Sequence, residues 1–496
     1  MIEKWQNDID ERHPRNRSPE NMIRDSFFYR KPIELTDDEW LGVFAKEQEK
    51  TIDSRERVFQ KAVLSNPNRY IQLIKNHPFA DPAMIETLLF TVREADIPQR
   101  EKYELVRFAM QYKSHGCQLA FLSLAQSLMP FEFDKDIIDY IIEISICSVS
   151  DIEESWRPDN GGYYGDILTC GLNTPRGSAI WFFYKSLHDA PEQFEPIVLN
   201  IIDKLAAIES DSIQPYVFLL LLALSKNHKD SVLKLAKQML NQASIHVLAT
   251  NACEDILVYI LWHEPDTAIP IINRLLDASE QGIKDESKEL DHKRSVGKLA
   301  TLARIYHNMP SVNALLEKAL QGCPGTRQGI ALCICEAVKF HEHQQLAVDI
   351  LKKLFRDPDV EVRQFATHCF RNLLDLDEIT SHIDNLICCF ISSSAFSNNS
   401  CLGFFDCHDF FDFLIESKVP MTLHSINALE MFLKHYAAEQ EQEQSQHKYL
   451  GYVEKLAYKI YAISKGRDER RRILKLINSL YEYHLIGESH LQLLER

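Results

Sequence analysis

The sequence predicts an all-α fold, a HEAT-like α-solenoid superhelix of stacked antiparallel helix pairs, and three observations carry that prediction. The first is the stretch Ala347 to Leu374, which reads as two short helices joined by the turn Asp357-Pro358-Asp359. Apolar residues fall at Ala347, Ile350, Leu351, Leu354 and Phe355, then at Val362, Phe365, Ala366, Cys369, Phe370 and Leu373. This three-and-four spacing gives each helix one stripe that it cannot bury alone. The second is the alternation, from Ser54 onward, of helical patterns with short Pro, Asn or Asp breaks, while the apolar/polar alternation of strands is essentially absent. The third is recurrence: Val312 to Phe340, broken at Gly322-Cys323-Pro324-Gly325, repeats the pattern of Gln344 to Leu374, with Arg327 and Arg363 in similar places after each turn. A drifting period of about 35 to 45 residues fits HEAT-like arrays and excludes the stricter ankyrin and TPR signatures.

In chain order, residues 1–50 form a polar leader or linker, with Arg12, Arg15, Arg17, Arg24, Arg30 and Lys31 among scattered acids. Within it, Thr36-Asp37-Asp38-Glu39 is a capping box ahead of Trp40, Leu41 and Phe44, which predicts a first helix that docks on the array. Residues 51–300 form an N-terminal helical-repeat array and residues 301–496 a C-terminal one continuous with it. Breaks are expected at Asn66-Pro67, Asp81-Pro82, Met129-Pro130, Ala190-Pro191 and Glu264-Pro265. In Leu172-Asn173-Thr174-Pro175-Arg176-Gly177-Ser178-Ala179, Thr174 caps, Pro175 starts a helix, and Gly177 with Ala179 admits a close neighbour. Around the later turn, Asp357 is expected to cap and Pro358 to open the second helix, with Asp359 and Glu361 facing the positive end of its dipole. Two charged excursions, Ser279 to Lys293 and Glu439 to Lys448, read as solvated loops.

Composition narrows the function classes. With Lys+Arg 55 against Asp+Glu 72 over 496 residues, a formal charge of −17 repels phosphate backbones and argues against nucleic-acid binding. The longest apolar run, Tyr216 to Leu224, is too short to span a bilayer and suits a buried helix, so no membrane partner is expected. The N-terminus has no apolar core of a secretory signal, and the 12 cysteines lack disulfide-framework spacing, which predicts a cytoplasmic chain with reduced thiols.

Catalytic chemistry finds no anchor. Gly297-Lys298 lacks the upstream glycine and the hydroxyl of a phosphate-binding loop, and neither His-Glu-x-x-His nor Gly-x-Ser-x-Gly occurs. Cys388-Cys389, Cys401 and Cys407-His408 carry zinc-ligand residue types, but their spacing matches no knuckle, and core thiols beside the Ser/Asn-rich turn are the preferred reading. His341 and His343 flank Glu342 in what reads as a solvated turn. The chain is therefore expected to be no enzyme and to need no cofactor or metal. The one loop rich in glycine and aromatics runs from Trp156 to Asp166, and Trp156, Arg157, Tyr163, Tyr164 and Asp166 are the candidate partner-binding residues. Aromatics and arginine dominate interface hot spots, although a plain inter-repeat crossing explains the same glycines.

Taken together, Thr36 to Leu41, Leu172 to Ala179, the Asp-x-x-x-x-Val-Arg repeat at Asp357 to Arg363, and the closing helices Val453 to Tyr461 and Asp468 to Asn478 resemble the C-terminal helical-repeat region of bacterial STAND-type, NACHT-like antiviral NTPases. Asn478 stands where that family has an acid, and no NTPase module is present in this sequence. The resemblance implies a sensor that binds a phage structural or packaging protein and acts with a separate NTPase. The alternative from the residues alone is a housekeeping HEAT scaffold for endogenous complexes.

Overall fold

The computed structural model describes residues 35–45, 52–130, 132–149, 153, 166–281, 286–397, 408–440, 450–483 and 485–486, and all regular structure among them is helical. The chain divides into two compact units, Met1–Met239 and Leu240–Arg496, and position 300 lies inside the helix Glu286–Tyr306.

In the first unit, one row of helices runs Ile52–Ser65, Pro82–Glu94, His115–Gln126, Pro175–Asp189 and Gln214–Leu224, each packed on the next. Pro67–Asn76, Gln99–Ala109, Lys135–Cys147 and Pro191–Ala206 alternate with them in sequence, and each packs on the row helix that follows it in that series. The second unit repeats the scheme. Asn251–His263, Glu286–Tyr306, Pro324–Ala337 and Val360–Thr367 form one row, which Cys369–Asn372, His408–Glu416 and Leu450–Ile463 continue. In the other row Pro265–Gln281 packs on Pro310–Leu320, and Gln344–Leu354, Ser381–Ile391, Thr422–Gln440 and Arg467–Glu482 each pack on the next. Packing between every second helix is what a helical-repeat stack requires, because each unit contacts its neighbours only.

Local chemistry explains the helix boundaries. Pro67, Pro82, Pro175, Pro191, Pro310 and Pro324 sit in the first helical turn, where a missing N–H costs nothing. Asn66, Asp81, Thr174 and Thr250 cap through their side chains. At Thr36 the capping box closes in both directions, Thr36 N–H donating to Glu39 Oε2 at 2.8 Å and Glu39 N–H to Thr36 Oγ1 at 3.2 Å. The helix it starts docks by Trp40 and Phe44, both buried, against Phe59 and Tyr70, with Arg69 on Asp37 at 2.8 Å.

Burial is continuous along the rows. In the apolar run Tyr216 to Leu224, Val217, Phe218, Leu220 and Leu221 are wholly buried, each worth about 1.5–3 kcal/mol against exposure. Phe355, Phe370, Phe390 and Phe410, from four different segments, form one aromatic cluster with centroid separations of 4.7 Å between Phe370 and Phe410 and 4.9 Å between Phe355 and Phe390.

Side-chain bonds between repeats display the period directly. In the first unit Arg69 reaches Asp37, Cys117 reaches Pro82 O, and His228 meets Glu195, at sequence separations of 32, 35 and 33. In the second unit Arg327 pairs with Asp357, Arg294 with Gln328, Gln328 with Glu361, and Thr380 with Gln344, at separations of 30, 34, 33 and 36. The period drifts to 40 at His424–Asp384 and 42 at Arg472–Glu430.

Two expectations are corrected. Asp357 is not the cap. Asp359 caps Val360–Thr367 by accepting from Val362 N–H at 3.1 Å, while the buried Asp357 carboxylate holds Arg327 at 2.7 and 3.1 Å and accepts from Asp359 N–H. Asp357 is drawn inward because Arg327 of the preceding repeat needs a counter-ion. The charged excursion Ser279 to Lys293 is also not one loop: Ser279 belongs to Pro265–Gln281 and Glu286 onward is helical, since Glu, Lys and Leu are strong helix formers whatever their charge. The Glu439 to Lys448 run lies outside the described residues beyond Gln440, and most of the 1–50 leader does as well.

Gly297 and Gly329 bring two row helices into backbone contact. A Cβ at Gly297 would stand 1.9 Å from Thr326 O, and one at Gly329 would stand 1.9 Å from Arg294 O. Gly329→Ala is expected to lower the denaturation midpoint of the second unit, whereas Gly42→Ala, with nothing within 4 Å, should raise stability by about 0.5–1 kcal/mol. Asp357→Ala should cost about 3–5 kcal/mol by stranding a buried Arg327, against at most about 1 kcal/mol for Glu317→Ala, whose partner Lys353 is exposed. Denaturant titrations of the variants check all three; equal effects of Asp357→Ala and Glu317→Ala would refute the buried-pair account.

Candidate functional site

Of the residues expected to bind a partner, the structure describes Asp166 alone; Trp156, Arg157, Tyr163 and Tyr164 lie outside the described residues. Asp166 is a helix cap. Its carboxylate accepts from Thr169 N–H at 2.6 Å and from Thr169 Oγ1–H at 2.7 Å at the start of Ile167–Leu172. On the other side of the segment, Glu153 is buried against Arg176 at 2.8 Å. In this unit His115–Gln126 packs directly on Pro175–Asp189, across roughly twice the usual repeat length. In the block that follows, Gly177 lies so near Gly171 that a Cβ would stand 2.1 Å from its carbonyl oxygen, the close approach anticipated for this glycine.

A second surface was not singled out from the sequence. Trp262, 58% exposed at the end of Asn251–His263, meets Tyr306 at the end of Glu286–Tyr306, edge to face with centroids 4.7 Å apart. Phe340, 48% exposed, follows the next helix of the same row, with Lys339 over its ring at 5.3 Å. Each aromatic precedes a histidine: Trp262-His263, Tyr306-His307 and Phe340-His341. The His307 ring is bonded to Leu261 O at 2.6 Å and links two repeats there, and His341 to His343 form an exposed single-turn helix. The recurrence of an aromatic-His pair at each turn was the signal in the sequence, hidden because the aromatics read equally well as the last residue of an apolar stripe.

Along the same row, Lys298 pairs with Glu254 and lies near Cys333. Burial works against the Lys298 ammonium, but its hydrogen bond to Glu254 and that carboxylate's charge outweigh it and hold the pKa above its ordinary value. Burial pushes the Cys333 thiol up to about 12 against the opposing charge of Lys298.

The zinc-type residues divide. Cys388 and Cys389 are adjacent on Ser381–Ile391, Cys389 lying 3.4 Å from Asn385 Oδ1, and His408 pairs with Asp412 at 3.0 Å. Cys401 and Cys407 lie outside the described residues, and no group of three or more His, Cys, Asp or Glu side chains suited to a metal occurs among those described. No described helix is long and apolar enough to cross a membrane.

No family model and no curated protein matches the chain. Among solved structures it is similar to the crystal structures of Kap121p and of a Kap121p mutant, in each case with 10% identity, a TM-score of 0.36, and 94% of this chain covered. The chain spans 50% of the length of those two chains.

The unfolded thiol of Cys333 titrates near pH 8.5, so its stabilising contribution is complete below that pH and is lost as pH rises toward the folded value of about 12. At pH 8.5 Cys333 in the native protein is expected to resist iodoacetamide while exposed Cys147 is alkylated. Peptide mass spectrometry of the native protein decides this, and equal labelling of both thiols would contradict the raised pKa of half-buried Cys333.

Proposed function

We propose that this chain is a non-enzymatic, protein-binding helical-repeat module, and that the Trp262–Tyr306 pair with Phe340 is part of its binding surface. The observation that carries the reading is exposed Trp262, packed edge to face on half-buried Tyr306, on a scaffold whose large apolar side chains are mostly buried. Tyr and Trp contribute large contact area at low entropic cost and dominate hot spots, and a monomeric surface has no packing reason to present them together. The Trp156 to Asp166 segment, singled out by its aromatics and arginine, is the second candidate contact. A formal charge of −17 favours protein ligands with basic surfaces over phosphate backbones.

The finer reading rests on the sequence resemblance to STAND-type NTPases: a sensor of a phage structural or packaging protein that acts through a separate NTPase. Affinity capture from the native host, with and without phage infection, tests both levels. The sensor reading expects a viral protein enriched on infection, and identical host partners in both samples would replace it with a housekeeping scaffold. Trp262→Ala, Tyr306→Ala and Phe340→Ala combined should reduce capture at least about tenfold without loss of helicity, as expected for removal of hot-spot residues. Undiminished capture would remove this surface from the proposal, and the parallel variant Trp156→Ala, Arg157→Ala, Tyr163→Ala reads the loop independently.

A further inference from the structure

Ser381–Ile391 and Thr422–Gln440 pack side by side in the second unit, and the groove between them contains a cleft of about 420 Å³. At one end Cys388 is exposed, with Sγ 3.9 Å from His424 Nδ1, the long end of a sulfur hydrogen bond. The opposite ring nitrogen, His424 Nε2, is 2.8 Å from Asp384 Oδ1. Asp384 and Cys388 are one helical turn apart, so the same face of one helix offers both a carboxylate and a thiol to the imidazole of the next. With the proton on Nε2 toward the carboxylate, the Nδ1 lone pair of the neutral ring faces the thiol. This is a thiol with its own proton acceptor, and none of the machinery described above uses it.

Other residues of the cleft have the opposite character. Glu430 is neutralised by Arg472, which also reaches Asn427 at 3.3 Å. Lys434, which also lines the cleft, is exposed and makes no ion pair or hydrogen bond among the described residues. The open cleft is thus lined by both a nucleophile and an ammonium.

We propose that Cys388 is a thiol-modification site that takes an anionic, carboxylate-bearing low-molecular-weight disulfide, with His424 as its base and Lys434 as the subsite for the carboxylate. In the exchange, Cys388 gives its S–H proton to His424 Nδ1 and its sulfur attacks one sulfur of the disulfide. A bond from Cys388 Sγ to that sulfur forms while the reagent's S–S bond breaks. The departing thiolate takes the proton from His424 and leaves as a thiol, so Cys388 is oxidised and one half of the reagent reduced. Burial, then the Asp384 and Cys389 charges, raise the Cys388 pKa, which is why the free thiol needs the imidazole to react near neutral pH.

The test is the reaction of the reduced full-length chain with oxidised glutathione, followed by peptide mass spectrometry. Cys147, the other exposed thiol among the described residues, is the internal control. Cys388 should be modified at least about tenfold faster than Cys147, and His424→Gln should remove most of that advantage. The rate preference for oxidised glutathione over cystamine, a cationic disulfide, should fall about tenfold in Lys434→Gln, a readout that a purely structural lysine would not move. Should His424→Gln lose helicity, Asp384→Asn, at an exposed carboxylate, makes the same reading. Equal modification of Cys147 and Cys388, or an unchanged charge preference in Lys434→Gln, would overturn the proposal.

Discussion

One buried carboxylate, Asp357, organises the turn on which the second unit's repeat depends. It pairs with Arg327 of the preceding repeat, receives the N–H of Asp359, and gives its main-chain carbonyl to Arg363 at 2.6 Å. Side-chain exposure of 7% for Asp357 and 13% for Arg327 puts the pair where solvent hardly screens it, so losing either partner leaves a buried charge. Arg294, Gln328 and Glu361 form a second ladder across the same helices. Register between repeats is thereby set by polar geometry, since apolar stripes alone would tolerate sliding.

Glycine supplies the complementary constraint. At Gly297 and Gly329 two helices meet at their backbones, and the Arg294 and Gln328 side chains reach each other only because the helices are that close. Gly171 and Gly177 do the same beside Arg176 in the first unit. Scaffold positions are thus occupied by residues with a single packing solution, while Trp262, Tyr306 and Phe340 stand at the helix ends, away from those glycine contacts. That division lets a repeat protein hold its fold while its ligand specificity lies in a few surface side chains.

How much of this the sequence disclosed follows the same division. The helices, their proline and threonine starts, the Thr36 capping box and the buried Tyr216 to Leu224 run were legible because local propensity and burial agree there. Asp357 was misassigned because a turn with two aspartates two residues apart offers two equivalent caps, and only Arg327, 30 residues away, chooses between them. The helix from Glu286 was missed because charge was read as solvation, although the same residues are good helix formers. The aromatic surface escaped notice for a different reason. Trp262 and Tyr306 meet across 44 positions, and nothing local distinguishes an exposed stripe residue from a buried one. The Cys388, Asp384 and His424 arrangement is equally invisible in the sequence, since His424 lies 36 residues from Cys388, on the adjacent helix, while Cys401 and Cys407 are nearer in sequence.

The account's central claim is that the helical rows are scaffold and the turn-borne aromatics are contact. Amide hydrogen exchange of the chain alone and with its captured partner tests that most directly. Protection gained at the turns around Trp262, Tyr306 and Phe340, with the row helices unchanged, is the predicted result. Protection confined to helices remote from those turns would contradict it.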